Sequence, residues 1–221
     1  MTRQHPRIAL IHGTTAAIAP SVDALSAEFA EAEAWNILDD RLLPDTDAAG
    51  GLTDPLARRM EALIDLVLRE GAAGVLLTCS MYASVAHRTS ASVPVLAPDE
   101  AAFEAVRTAG YGTVLLVASF ESATRDSTDR LRSHLADEGS PTRVVGMTVP
   151  DAFRATKAGD VDALGRALVD AIRGETDRVD AVILGQFSLA PAAERLAEET
   201  GLPVISGPQA AARMLRATVT R

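Results

Sequence analysis

The 221-residue sequence contains a single cysteine, Cys79, and four scattered histidines. One cysteine excludes an internal disulfide and a cysteine-based zinc site, and the histidines lack the HExxH or HxH spacing of a metal centre. Aromatic residues make up only 4% of the chain, so the core implied by 48% hydrophobic residues has to be aliphatic. No signal-like segment and no apolar run of about 18 residues, the length of a membrane span, is present. We therefore expect a soluble, cytoplasmic protein with no membrane partner.

Positive charge is also scarce, because 21 Lys and Arg face 30 Asp and Glu, which gives a net charge of −9. Such a surface repels nucleic acid, so we expect no nucleic-acid partner. A pocket can still bind a small anion, because its local field is set by its own donors. The chain also lacks a GxGxxG motif after its first predicted strand, which argues against a nucleotide-binding protein.

What the sequence does contain is a repeat. The segment VPVLAPDEAA at 93–102 resembles LPVISGPQAA at 202–211, and the apolar run Ile8–Ile11 resembles Val114–Val117. Strands alternate with amphipathic helices throughout, which is typical of parallel α/β sheets. The repeat therefore predicts two similar α/β lobes, each with a parallel sheet of about four strands flanked by helices. We place lobe 1 at residues 1–98 plus 206–221 and lobe 2 at 99–205.

Cys79 occupies a position typical of a reactive group. The apolar run Gly74–Leu77 predicts a buried strand, and the thiol follows where that strand ends. Ligands of open α/β sheets bind at the carboxyl ends of strands. A helix beginning near Ser80 would direct backbone N–H groups at the sulfur and favour the thiolate. The alternative is that a lone cysteine is a small buried apolar residue.

Small polar residues follow three other strands at matching places. Hydroxyls and free N–H groups at such turns can hold a carboxylate, although the same residue types also cap helices. In pseudo-symmetric lobes these turns would face one cleft, where Gln186 is the counterpart of Cys79. Gln186 can donate and accept hydrogen bonds but cannot act as a base. The predicted substrate-binding residues are Gly13, Thr14, Thr15, Ser80, Tyr82, Ser119, Ser122, Gln186 and Phe187.

Two further interpretations stay open at this point. Tyr82 is either an acid or hydrogen-bond donor near the thiol or a packing aromatic. The segment from Asp39 to Gly51 is predicted as a loop, and the Gly- and Asp-rich stretch from Asp39 to Asp54 is either a solvated surface loop or a lid.

Taken together, these motifs resemble the aspartate/glutamate (hydantoin) racemase superfamily over nearly the whole chain. The resemblance rests on LIHGTT at 10–15, LLTCS at 76–80, VILGQ at 182–186 and the Pro203-Val204 strand. It implies two Rossmann-like lobes with the active site between them, no metal, pyridoxal phosphate or other cofactor, and a homo-oligomer, as a dimer or larger. The implied activity is a racemase-type isomerase that acts on a small carboxylic acid by cysteine-mediated proton transfer.

The sequence departs from this family at one position that matters for mechanism. Racemases of the family use one cysteine from each lobe. Here Cys79 matches the first, whereas Gln186 stands where the second would be. The alternatives are a single-cysteine decarboxylase or lyase on a malonate- or maleate-like acid, or a non-catalytic protein that binds a small acid.

Overall fold

The computed structural model describes residues 5–220. Its strands are Arg7–His12 (β1), Glu33–Leu38 (β2), Gly74–Leu77 (β3), Val95–Leu96 (β4), Thr113–Ala118 (β5), Arg143–Thr148 (β6), Ala181–Leu184 (β7) and Val204–Ser206 (β8). Its helices are Ile18–Glu28 (α1), Leu42–Ala48 (α2), Asp54–Arg69 (α3), Ala83–Arg88 (α4), Glu100–Ala109 (α5), Glu121–Asp137 (α6), Pro150–Ala158 (α7), Val161–Ile172 (α8), Ala193–Thr200 (α9) and Gly207–Val219 (α10). None of these helices is long and apolar enough to cross a membrane.

The eight strands form two parallel sheets with the same strand order. One sheet has the order β2-β1-β3-β4 and the other β6-β5-β7-β8. The central strands β1, β3, β5 and β7 are almost entirely buried apolar runs, because helices cover both faces of each sheet. Two parallel four-stranded sheets flanked by helices are therefore confirmed as the fold class.

The chain divides into two compact units. Unit 1 comprises the residues up to Glu100 together with those from Ala211 onward, and unit 2 is Ala101–Ala210. Helix α10 thus begins in unit 2 and continues into unit 1, where Leu215 packs on Gly74 of β3: a Cβ added at Gly74 would lie 3.1 Å from the Leu215 Cδ2 atom. Residues 1–4 and 221, which the sequence assigns to lobe 1, lie outside the described residues.

Two helices differ from the sequence-based expectation. The predicted loop from Asp39 to Gly51 contains α2, a helix of seven residues. It forms because Leu42 and Thr46, one turn apart, are both fully buried against the rest of unit 1. Helix α7 was not predicted; it begins at a proline in its first turn and ends at Gly159 in the left-handed conformation, both common helix boundaries.

Candidate functional site

The Cys79 thiol lies at the carboxyl end of β3 beside the turn that follows β1. A Cβ atom added at Gly13 would lie 3.5 Å from Cys79 Sγ and 3.7 Å from Leu42 Cβ. A methyl group at Gly13 would therefore lie in ordinary van der Waals contact with the thiol. A 3₁₀ turn at Ser80–Tyr82 follows and leads into α4, so Cys79 immediately precedes a helical segment. The cysteine is half-buried.

The ionisation of this thiol differs from the expectation that a helix start favours the thiolate. The backbone N–H of Met81, in the turn that follows, lies near the sulfur and lowers the pKa. Burial has the larger effect, and with the nearby carboxylates of Asp47 and Asp99 it raises the pKa of the Cys79 thiol to about 11. The thiol of the free protein is therefore protonated at neutral pH.

A buried histidine that the sequence analysis did not select lies next to this turn. His12 is fully buried at the end of β1. Its Nε2 atom is 2.9 Å from Asn36 Oδ1 on β2, and its Nδ1 atom is 3.0 Å from the Thr78 hydroxyl, immediately before Cys79. Burial lowers the pKa of the imidazole, an effect that the hydrogen bond to Asn36 partly opposes. A neutral ring with these partners donates from Nε2 to Asn36 and accepts at Nδ1 from Thr78, whose hydroxyl proton is shared with the Ile11 carbonyl oxygen at 3.3 Å.

Tyr82 is in the core of unit 1. Its side chain is fully buried, and its hydroxyl donates to the Leu42 carbonyl at 3.1 Å and hydrogen-bonds with the Thr46 hydroxyl at 2.8 Å. Burial raises the pKa of this hydroxyl above its ordinary value. The phenol is therefore neutral, and its two hydrogen bonds hold α2 in place.

The corresponding turns of unit 2 are joined by hydrogen bonds. The backbone N–H and the hydroxyl of Ser119 both donate to Gln186 Oε1 at 2.7 Å. Within residues 5–220 the Nε2 amino group of Gln186 donates to no partner. The side chain is only partly buried, so it presents two N–H donors at the carboxyl end of β7. Ser119 corresponds to Gly13 and Gln186 to Cys79 in the matching registers of the two sheets.

The remaining predicted residues have varied surroundings. The hydroxyl of Thr14 accepts from the Ala16 N–H at 3.4 Å, which is the capping role that was the alternative. Thr15 and Ser122 are exposed, Ser80 is half-buried, and Phe187 is buried. Among residues 5–220 no group of three His, Cys, Asp or Glu side chains is placed to hold a metal ion.

Replacement of Gly13 by alanine is expected to slow the reaction of the Cys79 thiol with an alkylating reagent while changing the stability of the protein little. The added methyl group would make ordinary contacts of 3.4–3.7 Å, and the backbone is not left-handed, so Gly13→Ala should change the free energy of unfolding by less than about 1 kcal/mol. The methyl group would cover Sγ, so iodoacetamide should alkylate Cys79 about 3–10-fold more slowly, by analogy with the effects of small steric changes at well-packed sites. An unchanged alkylation rate in a stably folded variant would contradict this geometry.

Comparison with known proteins bears on the nature of this site. The family model for Asp/Glu/Hydantoin racemase matches residues 8–215. No curated protein sequence gave a significant match. Aspartate racemase from Picrophilus torridus superposes with a TM-score of 0.79 at 16% identity, covering 97% of this chain and 94% of that one. Glutamate racemase RacE1 from Bacillus anthracis gives 0.74 at 14% identity, covering 99% and 83%. Allantoin racemase from Klebsiella pneumoniae gives 0.66 at 18% identity, covering 97% and 88%.

The chain belongs to the Asp/Glu/hydantoin racemase family, because the family model spans nearly its whole length. These three structural matches, each below 20% identity, show that the fold is shared. Membership in the family supports a racemase-type enzyme, and the resemblance inferred from the sequence motifs is confirmed.

Proposed function

We propose that this protein is a cofactor-independent racemase-type isomerase in which Cys79 transfers a proton at a carbon atom of a small carboxylic acid. The observation that carries the proposal is the placement of the only thiol of the chain. It lies at the carboxyl end of β3, over a glycine and within reach of the Met81 N–H. This combination supplies a titratable group with space beside it for a substrate carbon.

The proton transfer balances with one thiol. The thiolate takes the α-proton, so that the C–H bond breaks, an S–H bond forms, and the electron pair moves into an enediolate-like carboxylate. Return of the proton from sulfur to carbon reverses the step. Charge on the enediolate is the costly part, and fixed N–H donors lower that cost. We assign this role to the free amide N–H groups of Gln186, with the Thr14, Thr15, Ser119 and Ser122 turns as carboxylate contacts.

A single thiol has a consequence for stereochemistry. The side chain at position 186 has no titratable proton, so protons leave and return through Cys79. The proton on sulfur exchanges with water between the two steps. Inversion requires that water protonate the planar enediolate on the face opposite Cys79, which is a slower step. In D₂O the enzyme should therefore label the α-carbon faster than it inverts it.

Proton NMR in D₂O tests the proposal directly. The acids to be screened are amino acids, hydantoins, aryl- and alkylmalonates and maleate, each incubated with wild-type protein. Loss of an α-proton signal, followed by slower appearance of the other enantiomer on chiral chromatography, is the expected result. Loss of CO₂ from a malonate or conversion of maleate to fumarate without any α-exchange would overturn the racemase assignment.

The role of Gln186 is tested by Gln186→Glu, which is nearly isosteric. A glutamate retains an oxygen that accepts both hydrogen bonds from Ser119, so the fold should persist. It replaces the two amide donors by a negative oxygen that repels a carboxylate substrate. We expect kcat/KM to fall about 100-fold, the loss of about 2.7 kcal/mol typical of a hydrogen bond to a charged group. Equal kcat/KM values for the two proteins would remove Gln186 from the site.

A further inference from the structure

Folding stability alone does not explain why the hydrogen-bonded polar side chains of His12 and Thr78 are buried. Burying a polar side chain is favourable only when its hydrogen bonds are made, and an aliphatic side chain of similar size usually serves stability as well. His12 is fully buried and Thr78 is 8% exposed. Their contact of 3.0 Å joins the ends of β1 and β3 just before Gly13 and Cys79.

Unit 2 provides an internal comparison, since it builds the same strand ends without this network. The pairing registers make Ala118 the counterpart of His12, Gly185 the counterpart of Thr78, and Gly146 the counterpart of Asn36. All three are small residues that lack a polar side chain. Unit 2 therefore closes the carboxyl edge of its matching sheet with Ala, Gly and Gly at these positions, and with the hydrogen bonds from Ser119 to Gln186 one residue further on. The imidazole network is not required by the fold, and it occurs in the unit that bears the thiol.

The hydrogen bond between His12 and Thr78 lies where the backbone hydrogen bonds between β1 and β3 end. The last backbone bond between the two strands runs from the Thr78 N–H to the Ile11 carbonyl at 3.0 Å. Beyond it, Cys79 contacts Gly13 only by van der Waals packing. The side-chain bond between His12 and Thr78 is thus the last directional link between the strand ends before the thiol.

We infer that His12 is a positioning residue that sets the place of the Cys79 thiol through its hydrogen bond with Thr78. The Asn36 side chain, which is exposed on β2, orients the ring from the other side. The inference rests on the proposed role of Cys79 in proton transfer. Displacement of a reacting group by about 1 Å can lower a rate by about 100-fold, so a modest change at the strand ends is enough.

Alkylation of Cys79 tests this inference without any turnover, because the chain has no other cysteine. Iodoacetamide rates are measured from pH 7 to 11 on folded protein. Thr78→Val is nearly isosteric but removes the hydroxyl, and His12→Gln retains only the donor to Asn36. Burial is what raises the pKa of the Cys79 thiol, and loss of the hydrogen bond should leave the thiol less well buried. Both variants should therefore lower its apparent pKa by about one unit. Both should also lower kcat about 10–100-fold with KM within about threefold.

Matched variants separate positioning from stability. The amide of Asn in His12→Asn can take the place of Nδ1 and accept from Thr78, so the alkylation profile and kcat should stay within about twofold of wild type. Ser21→Ala removes a buried hydrogen bond of 2.7 Å on α1, in the same unit, and should lower the urea midpoint only. If Thr78→Val and His12→Gln behave like Ser21→Ala, the inference is wrong. A wild-type protein that turns over no acid would instead reject the proposed function, while the alkylation profiles would still decide the role of His12.

Discussion

Cys79→Ala should abolish deuterium exchange at the substrate carbon, with a loss of at least about 10³-fold in kcat. A positioned acid or base contributes about 10²–10⁴-fold to a proton transfer, and this chain has no second thiol to take over. Substrate affinity should change little, since the carboxylate contacts assigned to Gln186 and the hydroxyl turns remain. The measurement is the rate of loss of the α-proton NMR signal in D₂O, together with a thermal shift on adding the substrate.

Two further variants make this result specific. Cys79→Ser keeps the size and polarity of the side chain but replaces the thiol by a much weaker acid, so it should be nearly as inactive as the alanine variant. Ser21 is not among the residues assigned to the site, so Ser21→Ala should retain wild-type exchange. Exchange that persists in Cys79→Ser would show that the thiol does not carry the proton, and Cys79 would then be a packing residue.

The second large effect is a steep pH dependence. Burial raises the pKa of the Cys79 thiol to about 11, so the thiolate fraction of the free enzyme grows about tenfold for each pH unit below that value. If the thiolate removes the α-proton, kcat/KM should rise about 10³-fold between pH 7 and pH 10. The value of kcat/KM rises with pH because raising the pH ionises the Cys79 thiol, and the thiolate is the form that acts as the base.

Alkylation of the same thiol gives an independent control for this profile. The iodoacetamide rate depends on the thiolate alone, and it should show the same rise without a substrate. A plateau of both profiles by pH 8 would mean that the thiol is ionised at neutral pH, against the burial seen in the structure. A rising alkylation rate with a flat kcat/KM would mean that another group removes the proton.

Much of the fold could be predicted because its signals are local. Short buried strands such as Gly74–Leu77 and Ala181–Leu184 read as continuous apolar runs, and the Pro-Val repeat indicated two matching sheets. Helix α2 was missed for a physical reason. Its seven residues include a proline and two aspartates, a loop-like composition, and its stability comes from the burial of Leu42 and Thr46, which is a tertiary effect.

The site was only partly predictable from the same evidence. Cys79 and Gln186 stood out because each follows a buried strand, and that rule is topological. The pKa of the thiol could not be predicted, since it reflects a balance between desolvation and one backbone N–H. His12 was missed because its significance comes from partners 24 and 66 residues away in the chain. Its one local signal was a histidine directly after the four apolar residues Ile8–Ile11 of the strand.

The path of α10 has a consequence for how the chain folds as it is synthesised. A nascent chain emerges from its amino end, and compact units fold as their residues become available. Unit 2 is complete once Ala210 has emerged. Unit 1, whose strands emerge first, still lacks the segment that brings Leu215 onto Gly74. The half of the protein that bears the thiol is therefore begun first on the ribosome and finished last.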